Sequence, residues 1–295
     1  MTLLRGSRVC VAFGPGRPTL LINDQIRVYD QNPQALRELA AGSADYLVAL
    51  AAAGEAAGCA AADILLDHPE LDEAAALPLV CRAVDAALGC PLSLDTRRPE
   101  AIDAALDGYA GKALLNSVTG ERESLRTLLP VAVKHGMAVV ALLIDGAAIP
   151  DTWQARLRLA RDILACTDAA GIPRDDVVFD AVCMAAATQV GAMAVTLDTL
   201  RAIHGELNMS TVLGIGNAGY GMPTPTRIDL AFLLAAIPAG LDAALVDYRT
   251  ENLHSLTRAA DFLSGRDPVG AGYIDLHRRA RAAARGKERA GVATD

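Results

Sequence analysis

The sequence predicts an α/β protein, a (β/α)8 TIM barrel with a short N-terminal hairpin, and three observations carry that expectation. Short apolar runs at 19–22, 63–66, 92–94, 113–115, 138–144, 177–179, 211–215 and 243–246 alternate with helix-length amphipathic stretches, which gives eight strand–helix units. The chain has 295 residues and is 52% hydrophobic, so one barrel of about 250 residues would use most of it. Each apolar run also ends in Asp or Asn: Asn23, Asp67, Asp95, Asn116, Asp145, Asp180, Asn217 and Asp247. In a parallel barrel the strand C-termini form one face, and that face carries the site. Turn and helix-cap preferences for Asp and Asn account for part of the pattern but not readily for all eight positions.

Taken in order, residues 1–18 read as a hairpin or barrel-floor plug. There Val9 to Phe13 and the run 19–22 flank the turn chemistry of Gly14-Pro15-Gly16-Arg17-Pro18. Residues 19–265 read as the barrel. After Asn23 a helical stretch from Ala35 stops at Gly58, Asp151 caps a helix with Leu157, Ala160 and Leu164 on one face, and Thr224-Pro225 opens another. Residues 266–295 read as a basic helical C-terminal tail, solvated on most sides.

The stretch L-G-I-G-N-A-G-Y-G at 213–221 follows an apolar strand and presents Asn217 at its tip. Its Gly214-x-Gly216-x-x-Gly219 spacing fits a dinucleotide fingerprint, but that motif needs a helix to open at once, and Pro223 and Pro225 stand there instead.

The net charge of −8 argues against nonspecific nucleic-acid or anionic-membrane binding, and aromatics at 4% leave no stacking surface for single strands. No run is long enough for a membrane span or signal peptide, so a cytoplasmic protein is expected. The six cysteines form no C-x-x-C pair and read as reduced and buried.

A ring of carboxylates and amides, with no cluster of Lys or Arg at the strand ends, is a poor phosphate cradle and a good acceptor of N–H groups. A carboxylate takes two parallel N–H bonds, so the ring suits a flat, donor-rich, guanidine-like heterocycle. Divalent-metal binding by the Asp oxygens is the competing reading. Zinc has little support, since His68 alone lies near a strand end, and no metal site is expected.

Leu94-Asp95-Thr96 with Pro99, Leu115-Asn116-Ser117-Val118, Gly171-Ile172-Pro173 leading to Phe179-Asp180, and Leu213-Gly214-Ile215-Gly216-Asn217 with Gly221 resemble the pterin-binding barrels. Their order most resembles the methyltetrahydrofolate:corrinoid methyltransferases, over residues 62–246. The resemblance implies that Asp95, Asn116 and Asp180 hydrogen-bond the pterin, with Gly214 and Gly216 beside it. It implies that Asn217, the catalytic candidate, lies next to the N5 that carries the methyl group. Further candidates are Asn23, Asp67, Asp145, Gln189, Tyr220, Asp247 and Arg227, the last placed as the family Arg after the Asn-x-x-x-Gly run. Where the family carries an Asp-x-Asn-like ending, this chain has Leu66-Asp67-His68.

The implied substrates are tetrahydrofolate or methyltetrahydrofolate, with the corrinoid (cobalamin) supplied by a separate partner protein, because the D-x-H-x-x-G signature is absent. A homodimer is implied as well. Two other readings stay open: a noncatalytic pterin- or metabolite-binding barrel in a methyl-carrier complex, and a dihydropteroate synthase-like enzyme.

Overall fold

The computed structural model describes residues 1–29, 32–146, 148–189, 191–279 and 281. Eight parallel strands close into a barrel: β3 (Leu20–Arg27), β4 (Ala61–Leu65), β5 (Leu92–Asp95), β6 (Leu114–Val118), β7 (Ala138–Leu142), β8 (Val177–Asp180), β9 (Ser210–Gly214) and β10 (Ala243–Val246). β10 pairs with both β9 and β3, which closes the ring. Ahead of it, β1 (Thr2–Arg5) and β2 (Cys10–Phe13) form an antiparallel hairpin.

That pairing corrects the expected turn. Cys10 to Phe13 pairs back onto Thr2 to Arg5, while the run after Pro18 belongs to the barrel. The hairpin is nevertheless a floor plug. Its Leu4 and Phe13 are fully buried against Leu20, Ile22, Ala61, Leu114, Val140 and Val178, which fill the barrel interior. Polar links fix it there: Thr2 Oγ1 donates to Ser210 Oγ at 2.9 Å, and Arg5 and Lys112 exchange backbone hydrogen bonds at 3.0 and 2.6 Å.

The helices wrap the outside. Two of them, α1 (Pro33–Ala40) and α2 (Asp45–Ala56), replace the single helix expected up to Gly58. The break falls at Gly42, whose φ of 78° belongs to the left-handed region and ends α1. The others are α3 (Glu73–Leu88), α4 (Pro99–Leu106), α5 (Arg122–Lys134), α6 (Trp153–Ala170), α7 (Ala192–Ala202), α8 (Pro225–Ala239) and α9 (Leu253–Leu263). α6 is capped by Thr152, whose side chain accepts from Ala155 N at 3.3 Å, one residue later than the Asp151 expected. Residues 271–279 are helical too; the expected tail from 282 onward lies outside the described residues. No helix among the described residues is long and apolar enough to cross a membrane. All six cysteines are free, and Cys10 and Cys166 are exposed, contrary to the expectation that all are buried.

Strand periodicity decides which side chains see the mouth. Successive residues point to opposite faces of a sheet. Counting two residues on from the interior-filling Ile22, Ala61, Leu114, Val178, Val212 and Leu245 gives Asp24, Asp63, Asn116, Asp180, Gly214 and Asp247. Ser93 and Asp95 share that face, since Ser93 pairs with both Asp63 and Leu114. An apolar floor therefore carries an upper layer of acids and amides.

Candidate functional site

The centre of this layer is Asp63, which sequence reasoning missed because it lies inside an apolar run rather than after one. It is buried, and its Oδ1 accepts from Ser93 Oγ at 2.5 Å and from Asn116 Nδ2 at 3.2 Å. Burial pushes its carboxyl well above the usual range, and the neighbouring Asp95 pushes it the same way. One amide N–H of Asn116 is thus spent on Asp63. Its carbonyl and second N–H remain for the mouth.

Asp95 and Asp180 close their strands on either side of Asn116. Burial raises Asp95 to about 6; Arg97 and Arg27 pull it down, while Glu73 and Asp67 raise it. Burial raises Asp180 to about 7 against the opposing pull of the Val182 N–H, which donates to its Oδ1 at 2.7 Å, and of Arg156. Arg156 is itself buried, and its guanidinium donates to the carbonyls of Ala181 at 2.5 Å, Val182 at 3.0 Å and Pro150 at 2.9 Å. It fixes the backbone that follows β8 and places a positive charge behind Asp180. Two half-buried carboxyls with raised pKa and open lone pairs are groups that gain from N–H donors.

At the seam where β3 meets β10, the structure corrects the expected absence of cations. Arg27 ends β3, and Arg249 follows β10. Arg249 is bidentate to Asp247 at 2.8 and 2.7 Å and donates to Gln25 Oε1 at 2.7 Å, while Gln25 donates to Asp24. Burial raises the Asp24 carboxyl; for Asp247, burial raises it but the Arg249 contacts prevail and hold it below the usual range. Sequence reasoning missed this pair because it ended the first strand at Asn23. The strand in fact continues for four more residues, and Asn23 faces outward, buried, with its amide donating to Leu50 O at 3.0 Å and its carbonyl accepting from Gln25 N at 3.0 Å. Asn23 therefore pegs β3 to α2, and Asp24 is the inward residue.

The remaining candidates lie on loops. Asn217 ends a 3-10 turn after β9 (Ile215–Asn217) and is exposed. A Cβ built at the inward position 214 would stand 3.3 Å from Asn217 Nδ2, so Gly214 lets that amide fold back over the mouth; Gly216 borders open space. Tyr220 is exposed on the same β9–α8 connection, and Arg227 is exposed in the first turn of α8. The exposed Gln189 sits on the connection after β8, which is tied to it by Ala186 N donating to Ala218 O at 3.0 Å. Asp67 lies two residues beyond β4, exposed yet near enough to influence Asp95. Asp145 is exposed in a turn bridged to Ala148, outside the inward ring.

The site is thus concentrated in Asp24, Arg27, Asp63, Asp95, Asn116, Asp180 and Asp247, with Asn217 above. A cavity of about 480 Å³ on the opposite face is lined by Arg201, His204, Gly240 and Arg266. Its side chains are already engaged: Arg201 pairs with Asp198, and His204 and Arg266 both contact the buried Asp242. Among the described residues no group of three or more His, Cys, Asp or Glu is arranged to hold a metal ion.

Comparison with known proteins places this geometry among relatives. The family model described as pterin binding enzyme matches residues 34–247. A methylcorrinoid:tetrahydrofolate methyltransferase from Eubacterium limosum is 23% identical over 218 residues, covering 72% of this chain and 79% of that protein. The methionine synthase of Mycobacterium tuberculosis is 26% identical over 198 residues, 62% of this chain but only 16% of that much longer protein. Among solved structures, dihydropteroate synthase from Stenotrophomonas maltophilia superposes with a TM-score of 0.68 at 17% identity, over 89% of this chain and 98% of its own. At that identity the likeness concerns the fold.

Proposed function

The chain belongs to the pterin-binding enzyme family, and from that premise we propose that it transfers a methyl group between a corrinoid held by a separate protein and N5 of tetrahydrofolate. The observation that carries this reading is the inward ring of Asp95, Asn116 and Asp180 over an apolar floor, with both carboxyls raised to about 6 and about 7. A pterin offers a flat ring with a guanidine-like edge. Carboxylates meet such an edge with paired acceptors, and Asn116 both accepts and donates beside them. The residues present fit the ring.

In this reading Asp95, Asn116 and Asp180 bind and orient the ring, so that N5 is held in line for displacement. Asn116 is oriented by Asp63, and Asp180 by the Val182 N–H on a backbone that Arg156 holds in place. Asn217, on the loop above, is placed to hydrogen-bond N5: its amide N–H donates as the N5–CH3 bond breaks and N5 takes up a proton from solvent, and in the opposite direction its amide carbonyl accepts from the N5–H, whose proton is released to solvent as the N5–CH3 bond forms. The corrinoid, when docked by its own protein, supplies the cobalt that gives or takes the methyl group. The name of the Eubacterium limosum relative favours transfer toward tetrahydrofolate.

A spectroscopic assay tests the reading. The full chain, mixed with methylcob(III)alamin and tetrahydrofolate, and separately with cob(I)alamin and methyltetrahydrofolate, should change the cobalt spectrum at a rate proportional to enzyme in at least one direction. Tight tetrahydrofolate binding without transfer to any corrinoid would favour the noncatalytic barrel. Condensation of a dihydropterin pyrophosphate with 4-aminobenzoate would favour the synthase.

A further inference from the structure

Arg27 is the one feature of the mouth that the orientation of the pterin ring leaves unexplained. Irregular pairing between Asn23 and Ile26 shifts the register of β3, so that Arg27 ends up opposite Leu65 of β4. Leu65 follows Ala61 and Asp63 at period two, so both it and Arg27 face the opening. The guanidinium carbon lies over the Tyr29 ring, 5.7 Å from its centre and within cation–π range. Its charge acts on Asp24, Asp95 and Asp247, which stand on three different strands. Asp95 is two strands away on one side and Asp247 one strand away on the other, so the cation reaches over the mouth rather than along its rim.

Its carboxylate neighbours are committed elsewhere. Asp247 is bidentate to Arg249, and Asp24 takes the Gln25 amide. Among the described residues Arg27 makes no hydrogen bond or short ion pair, and its Nε is buried without a partner. Buried donors left unpaired in this way are rare in folded proteins. Arg27 and Arg249 fall outside the stretch 34–247 that the family model matches.

Tetrahydrofolate is more than a pterin. Its aminobenzoyl group ends in a glutamate, and with the ring seated on Asp95, Asn116 and Asp180 that tail has to leave through the opening. A guanidinium held over an aromatic ring can still meet a carboxylate with two parallel N–H bonds. We propose that Arg27, held over Tyr29 at the β3–β10 seam, binds the carboxylate end of the glutamyl tail of a folate substrate; the proposal rests on the pterin-binding reading of the same mouth. Arg249 keeps the seam open for it by occupying Asp247 and Gln25.

The test compares two ligands by calorimetric titration of the full chain: tetrahydrofolate, and 6-methyltetrahydropterin, which has the ring and no tail. Arg27→Gln should weaken tetrahydrofolate binding about tenfold, the scale of a partly solvated charge-assisted pair, and leave 6-methyltetrahydropterin binding unchanged. Arg27→Lys, which keeps the charge but not the paired N–H donors, should recover only part of the loss. The control Arg97→Gln, at the exposed cation on the far side of Asp95, should not change the ratio of the two affinities. Equal weakening of both ligands by Arg27→Gln would overturn the proposal, because it would place Arg27 under the ring or in the fold. No weakening of either, or a tail-specific loss confined to Arg97→Gln, would overturn it too. A wild-type chain that binds neither ligand would instead remove the pterin reading, and the tail with it.

Discussion

Asp63 Oδ1 accepts a 3.2 Å hydrogen bond from Asn116 Nδ2, so the amide that faces the barrel mouth is oriented by a carboxyl buried beneath it. Burial raises that carboxyl well above its usual range, which favours its protonated form. Asparagine is then close to isosteric and isoelectronic with it. Asp63→Asn should leave stability and pterin affinity nearly unchanged, since its carbonyl can still accept from Ser93 and Asn116. Asp63→Ala leaves both donors unpaired in a buried place and should cost about 1–3 kcal/mol, with weaker pterin binding as Asn116 gains rotamers. Chemical denaturation and ligand titration of the two variants check this. Equal damage from both would show that an ionised carboxylate is needed.

The pH dependence of the apo protein should run against that of most globular proteins. In the folded protein burial raises Asp95 to about 6 and Asp180 to about 7, above the ordinary carboxylate value of 3.8. Their contribution to stability is therefore fully present below about pH 4 and is lost as pH rises through those folded values. From these two groups the melting temperature of the apo chain should fall between pH 5 and pH 8, and Asp180→Asn should flatten the fall. Donor-rich ligands prefer the carboxylate form, so pterin affinity should rise over the same interval. A melting temperature that climbs with pH and is insensitive to Asp180→Asn would contradict the assignment.

The architecture was legible because period-two runs and polar strand ends are local signals, and the barrel repeats them eight times. Asp95 and Asp180 were read correctly as strand-terminal because their strands are short and stop at them. Asp63 and Arg27 were not legible for opposite reasons. The acid hides within an apolar run, where only a hydrogen-bonded neighbour on the next strand explains it. The arginine depends on an irregularity in β3 that carries the strand past Asn23 and changes which face follows it. Parity alone, applied from Ile22, would have chosen Asp24 over Asn23. Loop residues such as Asn217, Gln189 and Tyr220 carry no periodicity, so their placement came from the family resemblance and from the turn that follows β9.

The hairpin should matter for stability rather than for binding. Phe13 is fully buried among side chains that fill the barrel from below, while the candidate site opens above them. Phe13→Ala should cost about 3–5 kcal/mol, the usual scale for emptying an aromatic from a packed core. Pterin affinity measured below the melting temperature should stay within a few fold of wild type. A variant of normal stability would show that the hairpin does not plug the floor as described, and a selective loss of affinity would couple the floor to the mouth.

On the proposed reading, substitution of Asn217 should separate binding from chemistry. Asn217 is exposed on a 3-10 turn, its Nδ2 folded back toward Gly214, and it makes no contact with the floor that a substitution would empty. Asn217→Ala should therefore fold normally. If the amide donates to N5 mainly as charge develops, its removal takes away an interaction stronger in the transition state than in the bound substrate. Turnover should then fall by about 10²–10³, the range seen for loss of one positioned donor, with tetrahydrofolate affinity changed only a few fold. Gly214→Ala, which puts a methyl group 3.3 Å from that amide, should displace it and reproduce part of the turnover loss without removing the donor. Equal losses of affinity and turnover in Asn217→Ala would make the residue a ring-binding group alone. Unchanged turnover would move the chemistry elsewhere on the mouth, to the inward carboxyls whose protons are already held near neutrality.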